Sequence, residues 1–313
     1  MVLLLTESDV QDLVDLQAAI ACFTRTFAEQ GRGELASWAP LHLTGPGANL
    51  QLRAGGLLAA GRMGVRVSTG ASGSAFVALH ELPSGRLLSV MGYPFSNLRL
   101  DACVAVGVEA LARPGAARVG MLGAGSRALG LLRAICAVRP VQTVAVYSPT
   151  PAHRTSFAEE AAHALDLPVR AVDEPTAAVA DADIVVVMTN ALTPALHGAW
   201  LPADVLVVAA GQRSELDETV LLRAGLTVTT SLEQELGGPQ ATDEWTLVRM
   251  TRSGALPRER IVELGEVITG RITPPTGITV FREAQGGFTD IALAALAYDR
   301  AVELGRGIAW AGP

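Results

Sequence analysis

The sequence predicts an α/β protein: a doubly wound parallel sheet in the central and C-terminal part, joined to a second, α+β portion. Three observations predict it. From Ala117 onward, short apolar runs alternate with stretches of helical periodicity, the signature of a parallel sheet covered on both faces. The first of those runs, Val119–Leu122, ends in a glycine-rich turn that leads straight into a helical stretch. Residues 36–96 read differently, as short runs broken by Gly, Ser and Pro, which predicts a mostly antiparallel sheet.

In chain order, residues 7–30 are helical. Asp15 suits an N-cap, Leu16, Ala19, Ile20, Phe23 and Phe27 recur at helical spacing, and Gly31 ends the segment. Leu50–Leu52, Val65–Val67, Phe76–Leu79 and Leu87–Met91 are strands, with a hairpin turn at Ser84-Gly85. Residues 97–113 return to helical spacing. The parallel portion then predicts strands at Val119–Leu122, Thr143–Tyr147, Val169–Val172, Ile184–Thr189, Val205–Ala209, Leu226–Thr229 and Thr279–Phe281. Helical stretches at Ala128–Ala137 and 151–165 separate the first three, and a helix from Phe288 to about Leu304 closes the chain.

Composition removes several classes of function. The chain has 313 residues, half of them apolar, which suffices for about two domains with substantial cores. No apolar run reaches the roughly 18 residues that a membrane helix needs, and Met1–Leu5 is too short for a signal-peptide core. The net charge of −7 argues against nucleic-acid binding. Cys22, Cys103 and Cys136 form neither a disulfide framework nor a metal motif, so no metal is expected and the expected setting is cytoplasmic. Every one of the 24 basic residues is Arg. A lysine Schiff base and a P-loop lysine are therefore excluded.

The turn Gly123-Ala124-Gly125-Ser126-Arg127-Ala128 fits GxGxxA in the required strand–turn–helix context. The first glycine permits a tight turn, the second lets a pyrophosphate approach the backbone, and Ala128 lets the helix pack close to the strand. This points to a dinucleotide; the plain structural reading is a glycine-rich turn with no ligand. An acid after the second strand would grip the ribose of NAD, but Val146-Tyr147-Ser148-Pro149-Thr150 has none. Ser148 and Thr150, with Arg154 in reach, lean towards NADP over NAD; Arg154 also reads as a solvated helix residue. Thr189 and Asn190 follow the C-terminal end of a parallel strand, where nicotinamide or ribose binds.

With these motifs in order, the chain resembles the ornithine cyclodeaminase/μ-crystallin family over nearly its whole length. The similar segments are Asp15–Phe27, Arg99-Leu-Asp-Ala through Leu111-Ala-Arg113, the glycine turn, Ala182-Asp183-Ile184 through Thr189-Asn190 and Pro194, Glu263-Leu-Gly-Glu, and Gly277–Phe281 with Asp290. The resemblance implies a Rossmann domain over 115–285. It also implies a substrate-binding and dimerisation domain over 1–114, completed by 286–313, in a homodimer with the active site between the domains. It implies hydride transfer between a nicotinamide and the α-carbon of a small amino or imino acid.

By the same resemblance, Arg99 holds the substrate carboxylate, a task that suits a guanidinium fork. The alternative is a surface arginine at a helix start. Arg66 stands where relatives usually carry a catalytic lysine. It can anchor a carboxylate but, with a pKa above about 12, cannot readily move a proton. Asp290 matches a family aspartate that either orients substrate or caps the last helix.

Two family features are missing. Cyclodeaminases carry an essential Asp in a loop that is shortened here, at Gly211-Gln-Arg-Ser-Glu215; Glu215 and Asp217 read as caps of the next helix. A substrate arginine expected near Pro40-Leu41-His42 is absent. Arg53 on the next strand is a possible substitute cation, and His42 a possible acid or base. The resulting expectation is an NAD(P)-dependent imine reductase or amino-acid dehydrogenase. A rearranged ornithine cyclodeaminase and a non-catalytic NAD(P)H-binding protein are the alternatives.

Overall fold

The computed structural model describes residues 1–45, 48–69, 74–237 and 241–311. Parts of the predicted 36–96 sheet region (46–47 and 70–73) and of the terminal segment (312–313) lie outside the described residues. The chain divides into two compact units. The first comprises Met1–Ala102, Ser231–Gln240 and Gln285–Pro313; the second comprises Cys103–Thr230 and Ala241–Ala284. The sequence reading placed these boundaries at 114 and 285, without the excursion at 231–240.

The first unit opens with β1 (Val2–Leu5), α1 (Glu7–Val10) and α2 (Leu16–Gly31). It continues with β2 (Leu35–Ser37), β3 (Leu41–Gly45), β4 (Ala48–Leu57), β5 (Arg62–Thr69), β6 (Ala75–Glu81) and β7 (Leu87–Gly92). Helix α3 (Ser96–Leu111) follows. The second unit supplies β8 (Arg118–Leu122), α4 (Ala128–Val138), β9 (Thr143–Tyr147), α5 (Pro151–Leu165), β10 (Val169–Ala171) and α6 (Pro175–Val179). Next come β11 (Ile184–Val187), β12 (Val205–Ala209), α7 (Glu218–Arg223) and β13 (Leu226–Thr229). The chain re-enters the first unit for α8 (Leu232–Leu236), and returns to the second for α9 (Thr246–Arg252), β14 (Ile261–Glu263), α10 (Leu264–Ile268) and β15 (Ile278–Arg282). It ends in the first unit with α11 (Gly287–Glu303) and β16 (Ile308–Trp310).

In the first unit, eight strands form one sheet in the order β16-β1-β7-β6-β5-β4-β2, with β3 also paired to β4. Among the described residues, only the β1–β7 pairing is parallel. The sequence reading missed β1, because four residues at a chain start carry no alternation to read. Residues 7–30 are two helices rather than one, and the Asp15 carboxylate caps the second by accepting from Ala18 N. Helix α11 lies on β4, β5 and β6. It comes close because Gly55 and Gly64, partners across β4 and β5, have no side chains. A Cβ on Gly55 would stand 2.5 Å from Phe288 Cα, and one on Gly64 would stand 3.0 Å from Ile291 Cδ1. Phe288 then packs edge-on to Phe27 of α2, both fully buried.

The second unit is built on eight parallel strands in the order β10-β9-β8-β11-β12-β15-β13-β14. β11 and β12 are buried along their whole length, which is why they read as unbroken apolar runs. Asp183 fixes the start of the sheet. Its carboxylate accepts from Ala117 N and Arg118 N and pairs with Arg113 and Arg118, and these partners hold it far below the usual carboxylate range. From β8 the chain passes to β9 on one side, and β11 lies on the other. This reversal opens a crevice at the strands' C-terminal ends. Among the described residues, no helix is long and apolar enough to cross a membrane.

Candidate functional site

The crevice of the second unit is a cleft of about 990 Å³ lined by Gly123–Arg127, the end of β9 and the residues after β11. Gly123 adopts φ +114°, and a Cβ there would lie 2.1 Å from Met188 O. Only glycine permits this turn. A Cβ on Gly125 would meet nothing within 4 Å, so the backbone at Gly125 faces open space. No side chain caps α4, and although Ala128 N donates to Gly125 O, the helix N-terminus still favours an anion. The turn therefore fits a pyrophosphate. Ala124, Ser126, Arg127, Thr189 and Asn190 line the same cleft, together with Ser148 and His153.

Two expectations at the end of β9 need correction. Thr150 is exposed at the N-cap of α5 and is not among the lining residues. Arg154 is neither solvated nor aimed at the cleft. It is buried, donates to Ser148 O at 3.0 Å, pairs with Asp173 and lies over the Tyr147 ring. It braces the β9–α5 turn.

Glu215 also departs from expectation. Asp217 alone caps α7, accepting from Val220 N and facing His197 Nδ1 at 2.8 Å. Glu215 is fully buried instead. Oε1 accepts from Gly211 N at 2.9 Å and Oε2 from Thr189 N at 3.3 Å, while Arg282 Nη1 stands 3.4 Å away. Arg282 in turn donates to Ala209 O and Gly211 O. The pair ties together the ends of β11, β12 and β15. Burial outweighs Arg282 and the N–H donors and pushes Glu215 up to about 7.

The first unit brings Arg66, Arg99 and Asp290 together. Arg66 sits on β5 between β4 and β6, so it is on an interior strand and buried, not on an exposed edge. Arg99 is buried in the first turn of α3. Asp290 lies in the first turn of α11, whose N-cap is Gly286, so it does not cap that helix. Its Oδ1 faces Arg99 Nε at 3.3 Å and Arg66 Nε at 3.9 Å. Arg66 also donates to Ser96 Oγ at 3.1 Å and lies over the Tyr93 ring. Burial and the neighbouring Asp290 carboxylate drive the Tyr93 hydroxyl well above its usual range, so it stays protonated. Sequence reasoning missed Tyr93 and Ser96. Tyr93 follows β7 and Ser96 opens α3 in Gly92-Tyr-Pro-Phe-Ser96, and neither belongs to a repeating pattern. Two buried guanidinium groups converge on this buried carboxylate, a setting whose donors suit an anionic ligand. Among the described residues, no group of side chains could hold a metal.

Comparison with known proteins places the chain. The model of the ornithine cyclodeaminase/mu-crystallin family matches residues 64–305. An uncharacterized cyclodeaminase of Sinorhizobium fredii is 34% identical over 230 residues, covering 71% of this chain and 67% of that protein. A Δ1-pyrroline-2-carboxylate reductase of Bacillus cereus is 29% identical over 244 residues, covering 75% of this chain and 73% of that one. Among solved structures, Thermococcus litoralis Δ1-pyrroline-2-carboxylate reductase in complex with NADH and L-proline is 25% identical. It superposes with a TM-score of 0.85 over 98% of this chain and 100% of that one. The chain belongs to the ornithine cyclodeaminase/mu-crystallin family.

Proposed function

We propose that this protein is an NAD(P)-dependent reductase that converts an imine next to a carboxylate into an amine, and runs as an amino-acid dehydrogenase in reverse. The carrying observation is the convergence of Arg66 and Arg99 on Asp290. Two buried guanidinium groups stand 3.9 and 3.3 Å from one carboxylate, a forked cationic pair that suits a carboxylate ligand. The substrate's α-carboxylate is that ligand. Arg99 and Arg66 hold that carboxylate, Asp290 fixes the direction of both guanidinium groups, and Tyr93 and Ser96 brace Arg66.

The nicotinamide cofactor would be held by Gly123, Ala124, Gly125, Ser126 and Arg127 at its pyrophosphate, and by Thr189 and Asn190 at its nicotinamide end. When bound it supplies the hydride. No acid follows β9, and Arg127 and His153 line the cleft beside Ser148, which favours NADP(H) over NAD(H). The guanidinium of Arg66 stays charged throughout and anchors without moving a proton. Glu215 is fully buried and tied to Gly211 N, Thr189 N and Arg282, which speaks against its serving as a cyclodeaminase base. The names of the two pyrroline-carboxylate reductases support the reductase reading.

The protein acts as a homodimer in this reading. The face of the first sheet away from α11 carries Leu41, Leu52, Val67 and Phe76 in one row across four strands, and Leu41 and Phe76 are 50% and 43% exposed. A second copy of the same face would cover them.

The test is oxidation of NADPH and NADH with α-keto acids plus ammonia and with preformed cyclic ketimines, beside ornithine with NAD. Reduction of imines, lost in Arg99→Ala, is the expected result. Ammonia release from ornithine with a silent imine panel would overturn the proposal.

A further inference from the structure

The loop of residues 189–195 supplies Thr189, Asn190, Ala191, Pro194 and Ala195 to the lining of the cofactor cleft. Glu215 holds both ends of that loop. Its backbone carbonyl accepts from Ala195 N at 2.8 Å and from Leu196 N at 3.1 Å. Its side-chain Oε2 accepts from Thr189 N at 3.3 Å and from the Thr189 hydroxyl at 3.4 Å. Oε1 accepts from Gly211 N at 2.9 Å, beside Gln212, which also lines the cleft. The carboxyl group reaches the end of β11 because residue 211 is glycine: a Cβ there would stand 2.3 Å from Oε2 and 2.7 Å from Thr189 N. A fully buried carboxyl group therefore lies directly behind a cleft residue proposed to meet the nicotinamide.

The oxidised and reduced forms of a nicotinamide cofactor differ only at the ring, which is cationic when oxidised and neutral when reduced. Solvent screens a buried carboxylate weakly, so its field acts on a charge in the adjoining cleft. Ionised Glu215 thus favours the oxidised ring, whereas the protonated form favours neither. Among the described contacts, Arg282 on β15 is the charged group that faces the carboxyl. The segments after β11 and β12 present N–H groups and the Thr189 hydroxyl. Asp217, two residues on, is turned to His197 and the first turn of α7. Burial pushes the Glu215 carboxyl up to about 7, so both of its forms are available near neutral pH.

Resting on the cofactor reading above, we infer that Glu215 is a positioning residue for the nicotinamide: it fixes the Thr189–Ala195 wall, and its carboxylate sets the preference for the oxidised over the reduced cofactor. When the oxidised form binds, the O–H bond of a protonated Glu215 breaks, the electron pair stays on the carboxylate and the proton leaves to solvent. Binding of the reduced form calls for no such release.

The experiment measures Kd for NADP+ and NADPH between pH 6 and pH 8, with NAD+ and NADH in their place if that pair binds more tightly. The two forms share every contact away from the ring, so Arg127 and His153, which also line the cleft, cancel in the ratio. Kd for the oxidised form relative to the reduced form should fall about three- to tenfold as pH rises. In Glu215→Gln the ratio should stay flat. Calorimetry in two buffers of different ionisation enthalpy should show the oxidised form releasing about 0.3 proton more than the reduced form near pH 7. That measurement needs only the wild-type protein, so it decides the matter even where Glu215→Gln does not fold. A flat wild-type ratio, equal proton release, or the same slope in Glu215→Gln overturns the inference and leaves the cofactor reading standing. Binding of neither pair overturns the cofactor reading, and the inference with it.

Discussion

Glu215 in the second unit and Asp290 in the first are both fully buried carboxylates beside arginine, yet their surroundings differ. Glu215 accepts from two backbone N–H donors and faces one arginine, and these partners tie three strand ends together. Asp290 faces two arginines at 3.3 and 3.9 Å, one from a helix and one from a strand. The first arrangement is a strut that holds strand ends in register. The second gathers two guanidinium groups where a carboxylate ligand can be bound. The residue types are alike, and the kind of partner separates the two roles.

The largest expected effect breaks the Asp290 cluster. Arg99→Leu removes the charge-assisted bonds to the substrate carboxylate and should lower kcat/KM by about 100- to 1,000-fold, as loss of a buried charged contact worth about 3–4 kcal/mol does. NADPH affinity, measured by fluorescence, should stay within about twofold. A matching loss of cofactor affinity would show that the two functions are not carried by separate units.

Gly125→Val tests the other side of the comparison. The Cβ has space, so the melting temperature should hold, but the side chain projects where a pyrophosphate approaches the backbone. NADPH affinity should fall by about tenfold or more. Retained affinity with retained stability would remove the glycine turn from the cofactor site.

The smallest effect sharpens the strut. Glu215 is pushed from 4.5 up to about 7, so the fold favours its protonated form. Its contribution to stability is present below about 4.5 and is lost as pH rises through about 7. Glu215→Gln carries no such titration. The melting temperature of the variant minus that of the wild type should therefore climb between pH 5 and pH 8. A difference that is flat across this range would mean Glu215 is ionised throughout, with Arg282 and the N–H donors outweighing burial.

The two units differed in how far the sequence revealed them. In the second, Val119–Leu122, Thr143–Tyr147, Val205–Ala209 and Leu226–Thr229 coincide with β8, β9, β12 and β13. Strands buried on both faces must be apolar throughout, and so they stand out. The short β14 was invisible, since three residues give no period. In the first unit the hairpin at Ser84-Gly85 was legible because Gly85 takes φ +72°. The site was partly legible. Arg66, Arg99 and Asp290 were singled out, but nothing in sequence separations of 33 and 191 residues says that they meet.

The sequence by itself determined the alternation of strand and helix, the glycine turn, the lack of any lysine, and the lack of an acid after β9. These are properties of residue type and short-range spacing. Tertiary structure alone decided that Arg154 braces a turn and does not face the cleft, that Glu215 points inward while Asp217 caps the helix, and that Tyr93 and Ser96 support Arg66. It also decided that Arg53 and Arg66 stand side by side. Burial and charge balance set each of these roles, and both depend on which distant segments pack against the residue.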